Sequence, residues 1–96
     1  MMKFEWDFAK AEQNVRKHGV SFDEAVTVFY DPLSATFDDP DRSAGEYRYL
    51  TVGWSSRNRF LVVSHTNRGR SVRIISARPA TPHERKKHEG QEKKGN

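Results

Sequence analysis

Val62-Val63-Ser64-His65-Thr66, then Asn67-Arg68-Gly69, then Arg70-Ser71-Val72-Arg73-Ile74-Ile75-Ser76-Ala77-Arg78 carry the strongest structural signal in this chain. Two runs rich in β-branched residues flank a short polar stretch containing glycine, which is the pattern of a β-hairpin. Valine or threonine would pack more easily at the positions taken by His65, Arg73 and Arg78. A strand that accepts cations between apolar residues suits a surface built for an anion, and in a small basic protein that anion is nucleic-acid phosphate.

Outward from the hairpin, Glu46 to Trp54, Arg59 to Thr66 and Arg70 to Ala77 read as three strands. Short polar turns, Ser55-Ser56-Arg57-Asn58 and Asn67-Arg68-Gly69, join them into an antiparallel meander. Ser34 to Phe37 is a weaker strand, and Phe4 and Trp6 alternating with Lys3 and Glu5 suggest another. Asp7 caps a helix with apolar positions Phe8, Ala11 and Val15, ended by Gly19. Ser21 and Glu24 form the S-x-x-E capping box of a second helix, and Asp31-Pro32 stops it. Thr81-Pro82-His83-Glu84 opens a third helix that runs to Glu89. The expected fold is α+β: two N-terminal helices on a small antiparallel sheet, plus a C-terminal helix, with the helices on one face. Residues 1–89 form one domain, and residues 90–96 are a polar tail expected to be disordered.

The chain has 96 residues, a net charge of +4 and no cysteine, with a pI near 9.6. Disulfides, thiolate metal sites and a thiol nucleophile are thereby excluded. No apolar run is long enough for a membrane helix and no signal-peptide segment opens the chain, so a cytoplasmic protein with no membrane partner is expected. Asp38, Asp39 and Asp41 lack EF-hand spacing, and the four histidines show no zinc pattern. No metal or other cofactor is expected.

Strand register then assembles a site. With Asn67 to Gly69 as the loop, Thr66 pairs with Arg70, His65 with Ser71 and Val63 with Arg73. With Trp54 opposite Arg59, Arg48 falls opposite His65. One face then carries Arg48, His65 and Arg73, beside Leu50, Val52, Leu61 and Val63. Histidine can transfer a proton near neutrality, and two arginines can hold a phosphodiester and its transition state. RNA supplies its own nucleophile, the 2′-hydroxyl, so no metal is required. A one-residue slip in either turn breaks the grouping. His65 is otherwise a structural histidine, Arg73 a solvated outer-face residue, and Arg78 a hydrogen-bonding group for the chain end. Lys17 and His18 either complement the helix dipole or contact RNA. Arg85-Lys86-Lys87-His88 is either a solvated face or a phosphate contact. Tyr47, Tyr49 and Trp54 are core or stacking residues.

Phe4-Glu5-Trp6-Asp7, Lys10-Ala11, Asn14, Lys17-His18-Gly19-Val20-Ser21-Phe22 and Glu24-Ala25 together resemble the BrnT family of toxins. Asp31-Pro32-Leu33, Glu46-Tyr47-Arg48, Ile74-Ile75-Ser76-Ala77-Arg78, Thr81 and Glu84-Arg85 extend the resemblance, which spans residues 4 to 89. It implies a RelE-like ribonuclease fold and a toxin that cleaves RNA and blocks translation. It also implies a BrnA-like ribbon-helix-helix antitoxin, through which alone the complex reaches operator DNA. The family's basic and polar positions fall on Lys17, His18, Glu46, Arg48, His65, Arg73, Arg78 and Glu84. Chemistry then suggests His65 for proton transfer, Arg48, Arg73 and Arg78 for the phosphate, and Glu46 as a base toward the 2′-hydroxyl. Lys17, His18, Arg85 and Lys86 are the expected RNA contacts. Relatives often close the last helix with a tyrosine, where this chain has Arg85-Lys86-Lys87-His88-Glu89. The competing function is a non-catalytic nucleic-acid-binding or co-repressor module, a toxin that kept its fold and lost activity.

Overall fold

The computed structural model describes residues 2–41 and 45–94. Strand β1 (Lys3–Glu5) leads into helices α1 (Phe8–His18) and α2 (Phe22–Val28). Strands β2 (Ala35–Asp38), β3 (Tyr49–Trp54), β4 (Phe60–Arg68) and β5 (Ser71–Pro79) follow, then helix α3 (Pro82–Lys94). The sheet order is β1-β5-β4-β3-β2.

Local chemistry sets the helix ends. The Asp7 side chain accepts from the Lys10 N–H, and Gly19 at φ 69° takes the left-handed cap that a Cβ disfavours. Ser21 Oγ accepts the Glu24 N–H at 3.1 Å. The capping box is only half made there, because the Glu24 carboxylate turns instead to Arg59 and Ser55. At α3 the box is complete: Thr81 Oγ1 accepts from the Glu84 N–H, and Glu84 Oε1 accepts from the Thr81 N–H. Helix α3 continues through Gly90 to Lys94, past the end expected at Glu89. Gln, Glu and Lys are good helix formers, and one glycine costs a helix only about 1 kcal/mol.

Val20, Phe22, Ala25 and Val28 pack on Leu61, Val63, Val72, Ile74 and Ala77, with Phe4, Trp6, Ala11 and Phe29 around them. Helices α1 and α2 therefore cover one face. Helix α3 lies on the other, with His88 against the Phe60 ring at 5.0 Å and Arg85 over Trp54 at 4.5 Å. The expectation of helices on a single face is corrected. Every β4 residue from Phe60 to Thr66 is buried, so both faces of that strand need a cover.

The sheet is mixed rather than antiparallel, because β1 pairs parallel with β5, Phe4 beside Val72. An alternating tripeptide signals a strand without naming its neighbour. Asn14 extends the cover where β1 stops. Its Oδ1 accepts the Ala77 N–H at 3.1 Å, and its Nδ2 donates to the Ala77 and Val20 carbonyls at 2.8 Å each.

Gly53 lies where β3 passes under α2. A Cβ there would stand 2.9 Å from Asp31 Oδ2, 3.0 Å from Ser34 Cβ and 3.2 Å from Val28 Cγ1. Asp31 Oδ2 cannot retreat freely, since it accepts the Trp54 N–H at 2.8 Å. Gly53→Ala is expected to destabilise by about 1–3 kcal/mol. A thermal melt lowered by at least about 4 °C checks this.

Candidate active site

Both hairpin registers differ from those expected, and the difference rearranges the site. Trp54 pairs with Phe60, and Tyr49 with His65. Ser55 N–H bonds the Arg59 carbonyl at 2.8 Å, so Arg59 belongs to the turn. In the second hairpin Arg68 pairs with Ser71 and Thr66 with Arg73, and a bulge follows between Ser64 and His65. There Ser64 pairs with Ser76 and His65 with Ile74, leaving Ile75 as the extra residue. Gly69, at φ 58°, shapes the tight two-residue turn.

The grouping of His65 with Arg48 and Arg73 is therefore corrected. His65 pairs with Ile74, a core residue on the α1–α2 face. Arg73 is the next residue along β5, so it points to the α3 face. His65 is 3% exposed. Its ring lies between Phe29, at 5.0 Å, and Tyr49, at 5.7 Å. Thr51 Oγ1 is 2.7 Å from Nε2, and Asn67 Oδ1 is 3.2 Å from Nδ1. Asn67 Oδ1 can only accept, so Nδ1 carries the proton and Nε2 accepts the Thr51 hydroxyl. Thr36 Oγ1, 2.8 Å from Thr51 Oγ1, completes the chain. Burial pushes the His65 pKa below its ordinary value, against an opposing pull from Asn67. His65 is packed and hydrogen-bonded as a structural histidine, and burial favours its neutral form.

A pH dependence follows. A lowered native pKa means that the unfolded chain binds the proton more readily. Stability is then full above the ordinary value of 6.5 and falls as pH drops through it, by up to about 1.4 kcal/mol per pH unit. Denaturant titrations from pH 8 to pH 5 should show this slope, and His65→Gln should remove it.

The α3 face carries a different polar row. Glu5 pairs with Arg73, and Arg73 with Thr66. One step beyond the β3–β4 ladder, the same register sets Arg48 opposite Thr66. Asp39 N–H reaches the Arg48 carbonyl at 2.9 Å, which carries the β2–β3 pairing of Asp38 with Tyr49 one residue further. Across β3 and β4 the Arg68 and Glu46 side chains meet at 2.9 Å, as that register brings them together. Glu5-Arg73-Thr66-Arg48 thus crosses the sheet, with Glu46-Arg68 in the next row. Arg73 Nη1 donates to Glu5 Oε2 at 3.1 Å. Arg48 Nε and Thr66 Oγ1 are buried without a hydrogen-bond partner among the described residues. Such atoms are costly and uncommon, and they mark a place where a polar ligand would be welcome.

Arg78 is on the same face, opposite Val62, and its hydrogen bonds serve the fold. Its two Nη atoms hold the Glu84 carboxylate at 2.8 and 2.9 Å. That hydrogen bonding holds the Glu84 pKa down to about 2, with Thr81 assisting and burial opposing. Arg78 therefore anchors α3. Lys17 and His18 line a groove of about 350 Å³ with Lys10, Asn14 and Ser76, at the α1 side of the β5 edge and away from the arginine row. Arg85 is engaged by Trp54 and, at 3.0 Å, by Glu89. Lys86 is exposed. Sequence reading missed Glu5 and Thr66 as members of the row. Only the alternation in Lys3-Phe4-Glu5 and the parity of Thr66 with Ser64 could have pointed to them.

A basic α+β domain whose sheet aligns arginines beside carboxylates has the charge and the donors that an anionic ligand requires. The family comparison is more specific. Residues 6–84 match the family described as ribonuclease toxin, BrnT, of type II toxin–antitoxin system. The chain belongs to this family of ribonuclease toxins, and membership implies an antitoxin partner. Its fold is similar to that of the Brucella abortus ribonuclease toxin BrnT, known from a 1.1 Å crystal structure. The TM-score is 0.62 and the identity 23%, over 84% of this chain and 99% of that one. No curated protein matches. No helix among the described residues is long and apolar enough to cross a membrane.

Proposed function

We propose that this protein is a cytoplasmic endoribonuclease toxin of RelE-like fold, and that it cleaves RNA at the Arg48-Thr66-Arg73 row by attack of the 2′-hydroxyl. The observation that carries this reading is that Arg48 Nε and Thr66 Oγ1, in the strand row that pairs Thr66 with Arg73, are buried without a hydrogen-bond partner among the described residues. Arg48 and Arg73 hold the non-bridging oxygens and offset the charge that grows on the pentacoordinate phosphorus. Glu46, one row away and held by Arg68, takes the 2′-hydroxyl proton. The 2′-oxygen bonds to phosphorus, the bond to the 5′-oxygen breaks, and that oxygen takes a proton from water. The products are a 2′,3′-cyclic phosphate and a 5′-hydroxyl. No metal takes part, because the guanidinium groups supply the positive charge. Glu5 positions Arg73, and Arg78 holds α3. Lys17, His18 and Lys86 add sequence-independent, salt-sensitive attraction to the RNA backbone.

Loss of messenger RNA stops translation. A BrnA-like ribbon-helix-helix antitoxin relieves this by covering the basic face, and it is the part of the complex that contacts operator DNA. Expression of the chain alone in bacteria tests the proposal. The expected result is growth arrest with RNA loss, relieved by co-expression of the neighbouring ribbon-helix-helix protein. The purified chain should cleave RNA in excess EDTA and leave cyclic phosphate ends. Normal growth, with salt-dependent RNA binding and no cleavage, would establish a non-catalytic module instead.

A further inference from the structure

The arginine row adjoins a groove of about 270 Å³ between α3 and the sheet. Leu50, Val52 and Val62 form its floor, Phe37 one wall, and Glu84, Lys87 and His88 the α3 side. We propose that this groove receives the nucleobase next to the cleaved linkage, with its ring against Phe37 and an oxo-bearing edge toward Lys87. The inference rests on Arg48 and Arg73 binding the phosphate.

Three observations support it. Position comes first. Phe37 pairs with Leu50 and Leu50 with Ser64, so this row lies two residues along the strands from Arg48 and Thr66. That step is about 7 Å, comparable with the distance from a phosphate to its own base. Second, the lining is mainly apolar with a few polar groups, which suits a flat heterocycle and not a phosphate. Phe37 is 47% exposed on an edge strand. An exposed ring beside a cationic row offers a stacking surface for an unpaired base. Third, a donor leads the polar rim. Glu84 is committed to Arg78 and Thr81 and His88 is buried against the Phe60 ring, whereas the Lys87 ammonium can only donate. A donor facing purine position 6 or pyrimidine position 4 favours guanine or uracil, which carry a carbonyl oxygen there, over adenine or cytosine, which carry an amino group there.

Single-turnover cleavage of short oligoribonucleotides that differ only in the base beside the cut tests this. Binding of the matching 2′-O-methyl oligonucleotides is the parallel readout. The oxo bases should be preferred in both. Phe37→Ala should lower kcat/KM and affinity about tenfold, and Lys87→Met should flatten the preference between bases. Unchanged kcat/KM and affinity in Phe37→Ala, or a preference that survives Lys87→Met, would overturn the proposal. So would a Phe37→Ala protein that cleaves normally but escapes its antitoxin, since the groove would then seat that partner. Arg48→Ala separates the two levels. If it abolishes cleavage while Phe37→Ala does nothing, only the base subsite fails. If Arg48→Ala is fully active, the phosphate site itself is wrong.

Discussion

Substituting both Arg48 and Arg73 by alanine is expected to reduce RNA cleavage by at least two orders of magnitude without unfolding the protein. A preorganised donor aimed at developing charge contributes roughly 10² to 10³ in rate, and this double change removes two. The cost to stability should be small. Among the described residues Arg73 pairs with Glu5, the two side chains 29% and 43% exposed, and pairs of that kind contribute at most about 1 kcal/mol. Arg48 Nε makes no hydrogen bond within the described residues, so none is broken at that atom. His65→Gln is the informative contrast, because it lies on the opposite face. It should alter stability and keep cleavage within a few fold of the parent. Cleavage assays beside thermal melts decide the matter. A folded, fully active double variant, or a folded His65→Gln protein without activity, contradicts the assignment of the site to the α3 face.

Why the sequence points to the arginines but misplaces the histidine is a matter of interaction range. Asp7, Gly19, Ser21 and Thr81-Pro82-Glu84 act within one helical turn, and each is found where local chemistry sets it. The strands are equally plain from their β-branched runs. Register is different, because it is set by turn and bulge geometry that the residue types do not announce. The β3–β4 pairing is one residue off the expected one, with Asn58 at φ 59° and Ser55 N–H closing on the Arg59 carbonyl. Ile75 is left over opposite a bulge, and nothing in Ile74-Ile75-Ser76 announces it. Each slip changes the pairing by an odd number of positions, and the period of two converts that into a change of face. Arg48 and Arg73 still end on one side, while His65 is turned into the core. Glu24 was hidden for the same reason: its helix-capping role is legible locally, but its buried bond to a distant arginine is not.

That hidden pair makes the largest stability prediction. Glu24 is 3% exposed at the side chain. Arg59 Nε donates to its Oε2 at 2.9 Å, and Nη2 donates to its Oε1. Ser55 Oγ adds a third bond at 2.7 Å, while Arg59 Nη2 also reaches the Gly19 carbonyl at 3.0 Å. One carboxylate thus ties α2, the α1–α2 joint and the β3–β4 turn together. The hydrogen bond from Arg59 lowers the Glu24 pKa, burial opposes this, and Ser55 and the Arg59 charge lower it further. Arg59→Ala leaves a buried carboxylate without its cation. Breaking a buried pair costs about 3–5 kcal/mol. Arg59 is 36% exposed at the side chain, and water reaching that end reduces the expectation to about 2–3 kcal/mol. Arg59→Lys, which keeps the charge but loses the planar fork, should fall between. The pH dependence identifies the cause. In the parent, the depressed Glu24 pKa gives stability that is present above its ordinary value of 4.5 and lost below it. In Arg59→Ala the main lowering influence is gone and burial opposes the remaining Ser55 bond, so the carboxyl pKa rises relative to the parent and the folded variant loses less stability on acidification than the parent does. Its deficit should therefore shrink as the medium is acidified toward pH 4. A urea-unfolding series on both proteins measures the gap, and a deficit that stays constant with pH would trace the loss to packing and not to the stranded charge.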